Sequence, residues 1–85
     1  MLRIGGLTMI EYNICNQADE AIFEKQCFAF EKKIPGLIKK ELLHDVDDSK
    51  VQYYKLGESS VTVHNDYYVN AVYVKSEIDL EQFFK

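Results

Sequence analysis

The sequence predicts an α+β fold: an antiparallel sheet of about four strands packed against one long helix, with a short helix near the C-terminal end, in the order β-α-β-β-β-α. Three observations predict it. LTMIEYNIC, residues 7–15, alternates apolar and polar side chains as a half-buried strand does. The stretch from about Gln17 to Lys33 carries apolar side chains at helical spacing. From Val51 to Val74 the chain is rich in valine, threonine and tyrosine, the residues that suit a pleated surface, with turn residues between the runs.

Each element follows from its own residues. Gly5-Gly6 sets off a leader over residues 1–6, and Met9 is a second candidate start. In the first strand Ile10, Tyr12 and Ile14 share one face, with Thr8 beside them, while Glu11 and Asn13 point the other way. Asn16 offers an N-cap for the helix, with Asp19 at the N3 position and Glu20 close behind, an acidic first turn that suits the helix dipole. Lys32 and Lys33 place cations at the other end, and Pro35-Gly36 stops it. Phe23, Cys27, Phe30 and Ile34 form one stripe; Ala18, Ile22 and Ala29, with Ala21 and Phe28 at the edge, form a weaker second one. A helix that covers only its own sheet needs one stripe. The second stripe asks for another cover, which a second subunit could supply, or else Phe28 is an ordinary exposed aromatic.

Ile38 to Val46 fits two readings, because Ile38, Leu42 and Val46 sit at i, i+4 and i+8 yet also alternate loosely. A strand is expected, since a helix would have to restart after Pro-Gly without a clear cap. DVDDSK is a turn, VQYYKL a strand, and Gly57 with Ser59-Ser60 allows a bulge or bend. VTVHNDYYVNAVYV, residues 61–74, reads as a hairpin around Asn65-Asp66. A two-residue loop there pairs His64 with Tyr67 and Val63 with Tyr68. One face then carries Val61, Val63, Tyr68, Val72 and Val74 as core. The other carries Thr62, His64, Tyr67, Val69 and Tyr73, an amphipathic set of the kind found at an interface or a pocket wall. SEIDLEQFFK closes as a short helix capped by Ser76 or Asp79, with Leu80, Phe83 and Phe84 on its apolar side.

The 85 residues make one domain, 1–85, with a thin stability margin. Small domains of this size draw on disulfides, a metal or a partner chain for support. Two cysteines allow at most one bridge, and both fall inside regular elements. MLRIGGLTMIEY lacks the features of a secretory signal, and no apolar run is long enough to span a membrane, so a reduced, cytoplasmic protein is expected. Ten basic residues against fourteen acidic give a net charge of −4, which argues against nucleic-acid binding and weakly suits a basic partner.

Motifs for chemistry fail on their details. DVDDSKVQYYKL opens like a calcium loop, with Asp45, Asp47 and Ser49 in place, but has Lys50 where glycine is needed and Leu56 where a glutamate is needed. Cys15, Cys27, His44 and His64 have no zinc-ligand spacing. Ser59 or Ser60 with His64 and Asp66 has the residue types of a hydrolase triad, but a strand sets them in a row rather than converging on a carbonyl. VNAVYVKS lacks the glycine and the aromatic pair of an RNA-recognition strand. No metal and no cofactor is implied. His64 is either a hairpin-end histidine stacked on Tyr67 or a proton carrier at the rim of a tyrosine-lined face. His44 has a similar position with weaker aromatic company.

EKKIPGLIKKELL, a helix closing on a Pro-Gly turn that feeds a strand, resembles the dimeric α+β barrel superfamily, ferredoxin-like domains that include antibiotic-biosynthesis-monooxygenase-like proteins. VYVKSEIDLEQFF, a strand running into a short Ser-started helix, is also similar. The likeness covers residues 9–46 well and 67–84 loosely. Val51 to Asn65 is an extra strand by that pattern, the usual last strand has no counterpart, and the absence of tryptophan means that haem chemistry is not carried over. The resemblance implies a sheet packed against helices, a sheet-to-sheet homodimer and room for a small apolar ligand. It assigns no catalytic residue.

Two functions of different class follow. One is a small acidic interaction protein, homodimeric or bound to a protein partner, a regulator or inhibitor of a larger protein, that uses Thr62, His64, Tyr67, Val69, Tyr73 and Phe28. The other is a cofactor-independent monooxygenase- or isomerase-like enzyme with a tyrosine-lined pocket and His64 or His44 assisting proton transfer.

Overall fold

The structure, a computed structural model, describes residues 9–84; the leader expected over residues 1–6 lies outside the described residues. In chain order it forms β1 (Ile10–Cys15), α1 (Glu20–Lys33), β2 (Leu37–His44), β3 (Lys50–Leu56), β4 (Ser59–Asp66), β5 (Ala71–Ser76) and a single 3-10 turn at Glu81–Phe84. The fold is α+β, with one helix on a five-stranded antiparallel sheet ordered β1-β5-β4-β3-β2. There are five strands rather than about four because both arms of the last hairpin are full strands and β5 takes β1 as its second neighbour. The alternation of directions leaves β1 and β2 parallel at opposite edges, joined by α1 across the sheet. That order differs from the β-α-β-β-α-β run of a ferredoxin-like domain.

The helix starts three residues later than its sequence suggests. Asp19, not Asn16, is the N-cap: its backbone is extended and its carboxylate accepts from the Ile22 N–H at 3.1 Å. The N–H groups of Ala18 and Asp19 instead donate to the side-chain oxygens of Asn70 and Asn65, at 2.9 and 3.0 Å. Those two bonds hold the approach to α1 extended against the β4–β5 end of the sheet. At the other end Gly36 takes a left-handed turn, φ +82°, which glycine adopts without a Cβ penalty. Phe23, Phe30 and Ile34 of the expected stripe are buried against Tyr54, Val61, Val63, Val72, Val74 and Leu80, with Cys27 half-buried beside them.

Within the expected strand Ile38 to Val46, Leu37–His44 is the strand observed, and the three apolar residues of the expected range do not share a face. A bulge at Lys40–Glu41 puts two residues opposite Tyr53. Buried Gln52 fills it, its amide donating to the carbonyls of Lys40 (2.9 Å), Glu41 (3.2 Å) and Tyr53 (3.1 Å). The bulge turns Leu42 towards the helix and leaves Ile38 on the opposite face, while Val46 lies in the turn beyond.

The hairpin register also differs. His64 pairs with Tyr73 and Val63 with Val74, so the loop is the four residues Tyr67–Asn70 rather than Asn65-Asp66. Asp66 accepts from the N–H groups of Tyr68 and Val69, and Asn70 takes the left-handed conformation, φ +60°. Asn65 is a buried strand residue. Val61, Val63, Val72 and Val74 are core as expected, but Tyr68 is 89% exposed in the loop.

The C-terminal segment is one 3-10 turn instead of a helix. The Tyr12 hydroxyl accepts from the Leu80 N–H at 2.7 Å and donates to Asp79 at 3.0 Å. Leu80 is buried, and Phe84 packs on Tyr12 and Phe30 with ring centroids 4.8 and 5.5 Å apart. Asp79 accepts from the Glu81 N–H, whereas the Ser76 hydroxyl bonds to the backbone of Ile78.

Candidate functional site

Strand alternation sorts the sheet into a face under α1 and an open face. The registers align Leu43, Val51, His64, Tyr73 and Asn13 in one row across the open face, and Tyr53, Thr62, Lys75 and Glu11 in the next. Ile38, Lys55 and Ser60 follow at one end, and Asp66 and Ala71 at the other. α1 lies on the far side, and Ile38, Leu43 and Tyr53 are 55%, 54% and 38% exposed.

At the centre is a fixed polar-aromatic cluster. The His64 and Tyr73 rings stack across β4 and β5, centroids 4.6 Å apart and planes within 9° of parallel. His64 Nε2 and Thr62 Oγ1 share a hydrogen bond of 2.8 Å, and the Tyr73 hydroxyl donates to Asp66 at 2.9 Å. The Lys75 ammonium stands over the outer part of Tyr73, 5.7 Å from the ring centre. Burial, with Lys75 adding to it, pushes the His64 imidazole down to about 4 against the weaker pull of Asp66. Burial and the bond to Asp66 push the Tyr73 phenol up to about 12. At neutral pH both rings are uncharged, and the imidazole nitrogen nearest a donor is already engaged. The arrangement is a hydrogen-bonded pair of stacked rings, with neither group's pKa shifted towards neutral pH.

Of the residues marked in the sequence, Thr62, His64 and Tyr73 come together. Tyr67 and Val69 lie in the hairpin loop, because His64 pairs with Tyr73 rather than Tyr67. Phe28 is on α1, 61% exposed, on the other side of the sheet. It borders a cleft of about 290 Å³ between α1 and β2–β3, floored by Phe23, Cys27 and Leu42 and closed by the ion pairs Glu31–Lys39 (3.4 Å) and Glu20–Lys50. His44 alternates away from His64 and faces Asp48 at 3.3 Å. Ile38, Leu43, Val51 and Tyr53 were not marked. The i, i+2 spacing of Val51 and Tyr53 was a usable signal, whereas the bulge hid the other two.

A second cleft, of about 230 Å³, opens on the open face beside the His64 row. Leu43 and Val51 line its apolar part; Asp45, Asp47 and Asp66 add carboxylates, and Tyr68 stands at its edge. Asp45 and Asp47 are held by the backbone of their own turn, accepting from Val46 and Ser49. Among the described residues no group of three or more histidine, cysteine, aspartate or glutamate side chains is arranged to hold a metal ion, and no helix is long and apolar enough to cross a membrane. Cys15 and Cys27 are both free thiols. Comparison of the chain with family models, curated proteins and solved structures gives no match.

Proposed function

We propose that this chain is a small acidic interaction protein that self-associates as a homodimer through the open face of its sheet. The observation that carries the reading is the apolar content of a face that no part of the described chain covers. An antiparallel sheet can leave one face to water, but that face is then ordinarily polar. Here Ile38, Leu43, Val51 and Tyr53 share that face with the His64–Tyr73 stack, and exposed apolar side chains gathered on one face mark a contact site. The sheet-to-sheet dimer implied by the sequence resemblance would cover this same face. A reduced, cytoplasmic setting suits two free thiols, and the acidic balance leaves regulation or inhibition of a larger, basic protein as the use such a dimer would serve.

The enzyme reading draws less support. It needs a proton carrier in a water-excluding pocket, whereas His64 is held neutral with Nε2 engaged and His44 sits on an exposed strand end. Both clefts fall at or below the ~300 Å³ lower end of ligand sites. Native mass spectrometry tests the proposal: a mass twice that of the chain is expected, lost in Tyr53→Glu. A monomer at high micromolar concentration would refute it, and a co-purifying small mass would favour the enzyme.

A further inference from the structure

Charge on the open face is unevenly placed. At the end where β2 runs into β3, Asp45, Asp47 and Asp66 ring the 230 Å³ cleft. Among the described residues none of the three has a cation partner, since the ion pairs are Glu31–Lys39, Asp48–His44 and Glu20–Lys50. Lys50 also lines the cleft, but its ammonium is paired with Glu20 of α1. Towards the other end of the same face stand Lys55 and Lys75. Lys75 has Glu11 opposite it in register, whereas among the described residues the Lys55 ammonium reaches only the Glu58 carbonyl, at 3.4 Å. Lys55 lies on β3, the same strand as Val51 in the cleft wall. Four residues of extended strand separate them, ~13 Å.

These positions select one way of placing a second copy. Two sheets related by a two-fold axis lying between them and across the strands meet with their strands antiparallel, so each copy's acidic end faces the other's Lys55. A two-fold axis along the strands would instead set acidic end against acidic end. Resting on the homodimer reading above, we propose that Lys55 of each copy seats in the Asp45–Asp47–Asp66 cleft of the other, which fixes the register of the dimer. Its methylene stem would lie on Leu43 and Val51 and its ammonium among the carboxylates. The Tyr53 side chains would meet near the axis. Five strands ~4.8 Å apart and about 20 Å long give a flat footprint of roughly 500 Å², before side-chain relief, of the order of the ~800 Å² per partner in a standard interface.

A charge-swap experiment decides it. Sedimentation equilibrium is run on the full-length wild type, on Lys55→Glu, on Asp45→Lys/Asp47→Lys, and on an equimolar mixture of the two variants. Each variant alone should dimerise about 10- to 100-fold more weakly than wild type, and the mixture should recover wild-type affinity, because the heterodimer carries one swapped and one native contact. Asp45→Asn/Asp47→Asn keeps the side-chain oxygens that hold the turn and should weaken the dimer about tenfold. This variant decides the matter if circular dichroism shows the lysine variant unfolded. Variants that dimerise as wild type, or a mixture without rescue, would overturn the seat while leaving self-association standing. A monomeric wild type would overturn both.

Discussion

His64 and Tyr73 stack ring on ring from adjacent strands, and each has its polar atom tied down, His64 to Thr62 and Tyr73 to Asp66. The histidine is held neutral in the folded chain, its pKa lowered from the usual 6.5 to about 4. Linkage gives the sign. Above about pH 6.5 both folded and unfolded chains carry a neutral imidazole, and His64 costs nothing. Between 6.5 and 4 the unfolded chain takes up the proton and the folded chain does not, so stability falls with falling pH. With its partial exposure discounted, the loss is about 1–2 kcal/mol. Urea denaturation across this window should show a steeper fall for wild type than for His64→Gln. Parallel curves would place His64 in water.

Tyr12→Phe tests the clasp that holds the C-terminal turn. The substitution keeps the ring against Phe84 but leaves the Leu80 N–H without its acceptor, so a loss of about 1–2 kcal/mol in thermal or chemical unfolding is expected. The second readout is proteolysis after Phe83 and Phe84, which should quicken more than cleavage elsewhere.

Gln52→Leu removes the side chain bonded to the bulge carbonyls of Lys40 and Glu41, and a cost of about 1–3 kcal/mol is expected. Gln52→Glu should be worse at pH 7, because a buried carboxylate would face those carbonyl oxygens, and should recover part of the loss in acid. Stability curves at pH 7 and pH 4.5 distinguish the two.

Asn70 combines a left-handed backbone with a bond to the Ala18 N–H. Asn70→Val, a β-branched residue forced to positive φ, should cost about 2–3 kcal/mol. Asn70→Gly keeps the turn and loses only the bond, about 1 kcal/mol. Equal losses in urea melts would mean that the turn conformation carries no weight.

The parts of this fold that the sequence disclosed are those set by local periodicity. The stripe of Phe23, Phe30 and Ile34, the stop at Pro35-Gly36 and the alternation of Val61, Val63, Val72 and Val74 all follow from neighbours in the chain. What stayed hidden was settled by contacts far apart in sequence. Asn65-Asp66 has the composition of a turn, yet Asn65 is drawn into the strand because its side chain serves the Asp19 N–H, 46 positions away. That contact moved the hairpin loop to 67–70 and took Tyr67, Tyr68 and Val69 off the faces assigned to them. The start of α1 shifted for the same reason. The open-face patch was half legible: Thr62, His64 and Tyr73 share a face by simple alternation, but the bulge between Lys39 and Leu42 broke the period that would have added Ile38 and Leu43.

The placing of β1 beside β5 has a consequence for how the chain assembles. From β2 to β5 every strand pairs with the next in sequence, so each hairpin closes a short loop at small entropic cost. β1 instead joins a partner about sixty residues away, Tyr12 opposite Val74. Loop-closure entropy therefore favours local pairing within the four-strand meander and makes the β1–β5 pairing the costliest to close. Departure of β1 would bare the edge of β5 and release the C-terminal turn that Tyr12 holds, while the open face kept Tyr53, His64 and Lys55 in place.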